Sequence, residues 1–373
     1  MTIFNPFVTN GYLSPHYFCD RVEETKLLTD LVTNGNNVAI ISPRRLGKTG
    51  LIQHCFQQSV VKENYFTFLV DIYATKNLQE MVYELGKAVL STLKSKGRQA
   101  WEQFLGVLGS LRSNISFDIN GNPEWGMGVG DIKVPQTTLD EIFSYLEQAG
   151  KPCIVAIDEF QTIADYPEGT VEAVLRTHIQ KSKNVVFFYA GSQRHMMSEI
   201  FLSPSRPFYQ STRLMTIEPI GIERYVAFAQ TLFQEHHKAI TAEAVVAAYS
   251  RYDGITWYVQ SVLNALFAMT EQQAVCGEEM VEAAIQQIIS QQGFAYMALL
   301  YQLPHKQKEV LMAICREGSA SSLTSRAFLQ RYGLTASTVQ AALKGLLEKD
   351  FITLDHGVYT LYDKFFAQWL LQQ

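Results

Sequence analysis

The chain has 373 residues, a net charge of −5, 47% hydrophobic and 18% charged residues; that length points to two or three domains, and the composition to a globular protein with ample core material. The mildly acidic balance excludes a globally basic binder of nucleic acid or anionic membrane, and no apolar run reaches the ~20 residues that span a bilayer. The five cysteines (Cys19, Cys55, Cys153, Cys276, Cys315) form no CxxC pair and read as reduced, buried thiols of a cytosolic protein.

The opening stretch MTIFNPFVTNGYL lacks the basic and apolar regions of a secretion signal. Up to Ile220, short apolar runs alternate with helical patterns. NVAII (37–41), YFTFLVDIY (65–73), CIVAI (153–157), VVFFYAG (185–191) and RLMTIEPI (213–220) have the continuous apolar character of strands buried on both faces. Helices are predicted over Leu78–Leu93, Thr138–Ala149 and Glu168–Lys181. This βαβα order predicts an α/β domain with a parallel sheet. SNISFDINGNPEWGMGV (113–129) alternates around NGNP and predicts a hairpin inserted beside the sheet, at about 113–130. Beyond Ile220 the strands stop, and four helical patterns between Ile222 and Ser290 predict a small bundle over 221–295. Adjacent His236 and His237 point different ways on a helix and do not suggest a joint metal site. Over 296–373, three short helices followed by FITLDHGVYTLYD, two strands about Asp355-His356-Gly357, predict a winged helix.

Three strand exits carry candidate chemistry. The first is ISPRRLGKTG (41–50), between a strand and a helix, the context a phosphate-cradling loop requires. Amides of Ser42, Pro43-linked Arg44, Arg45, Leu46, Gly47 and Gly50 border the helix start, where the helix dipole favours anions. Lys48 would reach β- and γ-phosphates, and the Thr49 hydroxyl would bind Mg²⁺. The alternative is a helix N-terminus with a chance lysine. The second is CIVAIDEFQ, where two carboxylates at the end of an apolar strand are expensive without a task or a cation. Asp158 would support Mg²⁺ and Glu159 would orient or deprotonate water; the alternative is a solvated turn. In the third, Ser192 after VVFFYAG could hold the attacking water.

FCDRVEETKLLTDL, SPRRLGKTGL, VAIDEFQ, AGSQRHMM and RPFYQSTRLMTIEPI together resemble the archaeal-type prokaryotic ATPases, a branch of the AAA+/STAND P-loop NTPases, and VYTLYDKFFAQWL is similar to their C-terminal winged-helix segment. The resemblance implies a three-layer ATPase core over 1–220, a helical lid over 221–295, a winged helix over 296–373, and ATP with Mg²⁺ as cofactors. It implies that YFCDR lies beside the adenine, with Tyr17 and Phe18 as apolar contacts and Arg21 nearby. From the residues alone, FCDRVEE is a helix start with Asp20 as N-cap. Arg206 and Arg213 are candidate γ-phosphate fingers, with Arg194 a third; alternatively they are surface arginines. Two departures stand out: the family's Gly-Pro-Arg-Arg is Ser42-Pro43-Arg44-Arg45 here, and its lid Gly-x-Pro is Gly254-Ile255-Thr256.

Over 300–373, eight basic less six acidic residues leave +2. Ser337, Thr338, Gln340 and Lys344 lie on the expected recognition helix, but no basic stripe accompanies them. Tyr359, Tyr362, Phe365, Phe366 and Trp369 read as core aromatics. The expected function is a cytoplasmic ATP/ADP-binding, slowly hydrolysing switch whose nucleotide state positions lid and winged helix, with a protein partner or self-association, DNA as a further partner through the winged helix, and no membrane. The alternatives are a non-catalytic, nucleotide-stabilised scaffold and a DNA-binding regulator.

Overall fold

A computed structural model describes residues 5–94, 98–110, 116–117, 123–124, 128–355 and 357–373. The chain divides into two compact units, one of residues 8–225 with 255–257, the other of 226–254 and 258–373 with Asn5, Pro6 and Phe7.

In the first unit, helix α1 (Val22–Thr33) precedes strand β1 (Val38–Ile41), α2 (Lys48–Gln57), α3 (Ser59–Asn64) and β2 (Phe66–Asp71). Then come α4 (Leu78–Lys94), α5 (Arg98–Val107), the short strands β3 (Ser116–Phe117) and β4 (Pro123–Glu124), α6 (Pro135–Gln148) and β5 (Cys153–Asp158). Helix α7 (Val171–Lys181), β6 (Val185–Gly191), α8 (Arg194–Leu202) and β7 (Arg213–Thr216) complete it. The five long strands form a parallel sheet in the order β2-β5-β6-β1-β7. Alternate residues along each strand serve two cores, because side chains switch faces at every residue. Ala39, Ile41, Phe68, Val155 and Tyr189 pack with α4 to α8, while Val38, Ile40, Ile154, Ala156 and Phe188 pack with α1 to α3. The result is the three-layer P-loop NTPase architecture expected from the sequence. β3 and β4 pair antiparallel, Ser116 opposite Glu124 and Phe117 opposite Pro123; the expected turn between them, and the rest of 113–127, lie outside the described residues.

The second unit continues through α9 (Ile222–Glu235), β8 (Ala239–Ile240), α10 (Ala242–Arg251), α11 (Thr256–Met269), β9 (Val275–Cys276) and α12 (Met280–Tyr301). The expectation that strands stop at Ile220 is corrected here: β8 and β9 form a two-residue parallel pair. The expected boundary near 295 falls inside α12, which runs through Gly293 unbroken. Residues 5–7, assigned from sequence to the ATPase core, belong to this unit. Asn5 Nδ2 donates to Asn264 O (2.9 Å), Asn264 Nδ2 donates to Phe7 O (2.7 Å), and the Phe7 ring sits among Phe228, Phe233 and Phe267.

The C-terminal part is α13 (His305–Glu317), β10 (Ser319–Ala320), α14 (Arg326–Tyr332), α15 (Ala336–Glu348), β11 (Ile352–Asp355), β12 (Val358–Leu361) and α16 (Lys364–Leu371). The expected two-stranded wing gains β10 as a third, edge strand on β12; His356 lies outside the described residues. Side-chain caps fix the helix starts: Ser325 accepts from Phe328 N (3.4 Å), Thr335 from Thr338 N (3.3 Å), and Asp363 from Phe365 N and Phe366 N (2.9 and 3.1 Å). Phe365, Phe366 and Trp369 are core as expected, whereas Tyr359 and Tyr362 are half-buried. Asp363→Ala removes both acceptor contacts at α16 and should cost about 1–2 kcal/mol, read as an earlier urea transition of the full chain; an unchanged transition would show that the cap does not hold α16.

Candidate nucleotide-binding site

The parallel sheet sends every strand exit to one end, and the order β5-β6-β1 sets three of them side by side. The loop 42–47 leaves β1 and delivers Lys48 and Thr49 as the first residues of α2. Gly47 has φ +91° and Arg45 φ +69°; glycine takes that conformation at no steric cost, and arginine does not. Ser42, the odd residue of this loop, is fully buried and its φ is not positive, so its backbone makes no demand for glycine. Its amide donates to Gly191 O (3.4 Å) and its hydroxyl to Pro43 O (3.3 Å).

Lys48 is buried, 6% exposed, with Nζ donating to Ser42 O (3.0 Å) and Pro43 O (3.1 Å). Burial holds its pKa below the usual lysine value, against the pull of Glu159 and Asp158; Arg44 and Arg194 depress it further. The loop thus folds its own lysine inward, onto two of its carbonyls and within reach of two carboxylates. Asp158, 7% exposed at the end of β5, accepts from the Thr49 hydroxyl and from Glu159 N (3.0 Å). Burial pushes its pKa up, the Thr49 contact opposing that rise. Glu159 follows with φ +55° and closes a side-chain chain. Ser192 Oγ donates to Glu159 Oε2 (2.7 Å), Gln161 Nε2 donates to the same oxygen (2.5 Å), and Arg44 Nε donates to Ser192 Oγ (3.1 Å). The Arg44 guanidinium also lies over the Tyr73 ring, 5.7 Å from its centroid. Arg44, Gly47, Lys48, Thr49, Asp158, Glu159 and Ser192, all among the residues expected at the three strand exits, therefore share one end of the sheet.

The family model for an ATPase domain predominantly from Archaea matches residues 18–262, and one for a probable winged helix domain matches 294–372. The chain belongs to this predominantly archaeal ATPase family. Among solved structures, the Walker-type ATPase PABY2304 of Pyrococcus abyssi is 17% identical with a TM-score of 0.66, covering 98% of this chain and 99% of that one. The Aeropyrum pernix ORC2 protein, solved as ADPNP-ADP complexes, is 14% identical with a TM-score of 0.58, covering 98% and 95%. The Aeropyrum pernix ORC1 protein, solved with DNA, is 14% identical with a TM-score of 0.57, covering 99% and 97%. No curated protein matches the sequence. These likenesses support the P-loop ATPase fold and the winged helix of this family member.

The remaining expected site residues are distributed unevenly. Phe18 packs on α2: its ring stacks on His54 (4.5 Å), and a Cβ at Gly50 would come within 3.2 Å of it. Glycine at 50 is what lets that ring approach. Tyr17 stands apart from the loop, its ring contact being His16 (4.7 Å). Arg21, not Asp20, caps α1, with φ +64° and no side-chain cap bond, which corrects the sequence expectation. Its buried guanidinium donates to Glu24 Oε1 (2.6 Å) and Leu46 O (3.3 Å), so it braces the phosphate loop from beneath. Arg206 is held by Glu172 (2.6 Å) and lies 3.7 Å from Glu199. Arg213 pairs with Val38 at the start of β7, the end of the sheet away from the phosphate loop. Neither meets the loop within its own chain, whereas Arg194, opening α8, lies within the electrostatic reach of Lys48.

Sequence reading missed Gln161, Thr256 and Trp257. Thr256 Oγ1 donates to Leu46 O (3.3 Å), and Trp257 N donates to Arg45 O (3.0 Å). Thr256 opens α11, a position where proline also fits, but proline has no donor to offer Leu46 O. Gln161 was marked only by following Glu159 two positions later.

Asp158 has a folded pKa raised by burial, so its ionised form costs the ligand-free fold stability. That cost is absent where aspartate is protonated in both states and grows as pH rises through the folded pKa. Asp158→Asn should therefore raise the ligand-free Tm at pH 7 to 8, with the gain vanishing below pH 4; a pH-independent difference would show that burial of the charge is not its cause.

Proposed function

We propose that this protein is an ATP-binding, slowly hydrolysing switch of the AAA+/STAND type. One observation carries the reading: the buried Lys48 ammonium and the buried Asp158 carboxylate lie within each other's electrostatic reach, with the Thr49 hydroxyl bonded to Asp158, where the β1 loop meets the exit of β5. A magnesium–triphosphate would bring phosphate oxygens to the Lys48 ammonium and a cation to the Asp158 carboxylate. The donor set fits: Thr49 and Asp158 offer hard oxygens to Mg²⁺, which keeps waters and phosphate oxygens for its other positions. Mg²⁺, when bound, neutralises charge on the β- and γ-phosphates.

The chain's own residues divide the remaining work. Amides of 44–49 and the α2 dipole hold phosphate oxygens, and Lys48 adds its charge. Glu159 is the general base that orients and deprotonates water, with its carboxylate aimed by Ser192 and Gln161. Arg44, tied to Ser192, and Arg194, near Lys48, are the in-chain cations placed to sense a γ-phosphate. Arg213 remains a candidate for reaching a neighbouring copy's site. Nucleotide state would be the input, and the helical unit with its winged helix the output, in a cytoplasmic protein that self-associates or engages a protein partner.

Lys48→Ala should weaken ATP binding by at least tenfold, whereas Glu159→Gln should keep binding and lose at least 100-fold in turnover, as expected of a general base. Calorimetry and phosphate release check this; wild-type protein that binds no ATP would refute the proposal, and binding without any turnover above background would leave the scaffold.

DNA binding is a second reading, favoured by the exposed row Ser337, Gln340 and Lys344 on α15 and by the DNA complex of the similarly folded ORC1 protein. The small positive balance of the winged helix predicts weak binding with a shallow salt slope. A duplex shift at 50 mM salt that fades by 200 mM and weakens with Lys344→Glu supports it; no shift at 50 mM excludes it.

A further inference from the structure

Arg45 sits in the phosphate loop with φ +69°, a conformation that a non-glycine residue keeps only when its surroundings impose it. The imposing groups come from residues 255–257. Trp257 N donates to Arg45 O (3.0 Å), and the indole lies against the Arg45 guanidinium, 4.4 Å from ring centroid to Cζ. The indole is itself pinned, its Nε1 donating to Thr9 O (3.1 Å). The next carbonyl, Leu46 O, is held from two sides, by Thr256 Oγ1 (3.3 Å) and Arg21 NH2 (3.3 Å). Both held carbonyls belong to the turn immediately before Gly47 and Lys48. Turning those carbonyls outward toward 255–257 commits the intervening amides to the other side of the loop, the side that faces Lys48.

We infer that Thr256 and Trp257 are positioning residues of the phosphate loop, which hold Arg45 in its left-handed conformation and so keep the loop shaped for a triphosphate. The inference rests on the ATP-binding reading above for its ligand, whereas the contacts of the clamp are all within the chain. Cation–π contact and an amide donor act on the same residue, so loss of the ring loosens Arg45 while the backbone donor alone remains. A glycine at 45 needs no clamp, because it occupies the left-handed region without penalty.

The test is a double-mutant cycle in the full chain, read with the non-hydrolysable ATP analogue AMPPNP and Mg²⁺. Trp257→Ala should weaken AMPPNP binding by about tenfold, and the same change in an Arg45→Gly background by less than threefold. Trp257→Phe, which keeps a ring and the backbone donor, should stay within threefold of wild type and serves if the alanine variant folds poorly. Amide exchange over residues 44–47 without nucleotide is the second readout: Trp257→Ala should speed it, and a purely structural defect would speed exchange across the unit instead. Unchanged affinity and unchanged local exchange in Trp257→Ala overturn the inference, as does an equal penalty in both backgrounds. If wild type binds no AMPPNP, the ATP-binding reading falls, and the clamp is decided by the exchange pattern alone.

Discussion

The site is organised by the burial of one ammonium group. Lys48 is taken out of water at the start of α2, and two backbone carbonyls of its own loop cannot neutralise it. A buried cation needs an anion nearby or it sheds its proton. The anions come from β5, which is not adjacent to β1: β6 lies between them. The parallel sheet solves the geometry by bringing all strand exits to one end, so that Asp158 and Glu159 face the loop across the exit of β6. Ser192 at that exit bonds to Glu159, and Arg194 lies within the electrostatic reach of Lys48. The cation and the two acids thus meet across β6 from strands that are not neighbours.

Such a site carries backbone strain. Arg21, Arg45 and Glu159 all have left-handed φ, and none is glycine. Each is over-determined by its contacts: Arg21 by Glu24 and Leu46 O, Arg45 by Trp257, Glu159 by Ser192 and Gln161. Strain of this kind costs of order 1–3 kcal/mol per residue and persists where the fold fixes a functional geometry. Buried Asp158 adds an electrostatic cost in the same place. The two together mean that the ligand-free core is less stable than its apolar packing alone would make it.

The core strands were legible because burial on both faces writes continuous apolar runs, and the chemistry at their ends was legible because acids and a lysine beside such runs stand out. Spacing also showed Lys48 and Asp158 as partners, 110 positions apart, once the parallel sheet was assumed. What sequence could not show were contacts whose chemistry is ordinary. Thr256 and Trp257 read as the start of an amphipathic helix, and their bonds to Leu46 and Arg45 span some 210 positions. Arg206 read as a finger because its partner Glu172 sits in an unrelated helix pattern. Asn5 and Phe7 carry no signal for joining helices that hold Phe228, Phe233, Asn264 and Phe267. The winged-helix family model begins at residue 294, close to the start expected at 296, and α12 runs through that point without a break.

That continuous helix is one of several links inside the C-terminal unit. Within the helical unit, Tyr252 and Tyr258 stack on each other (5.0 Å), and Phe365 of α16 meets both rings edge-on (5.1 and 5.0 Å). Tyr258 Oη donates to Tyr362 O (3.3 Å) and accepts from Lys364 N (2.9 Å), while Lys364 Nζ pairs with Asp253 (2.6 Å). Aromatic packing, a two-way hydroxyl and an ion pair therefore tie α10 and α11 to the wing and the last helix, in addition to α12 passing between them. Buried aromatic contacts of this number resist independent rotation of their two sides. The winged helix is thus joined to α10 and α11 by packed rings, a hydroxyl and an ion pair as well as through the unbroken α12.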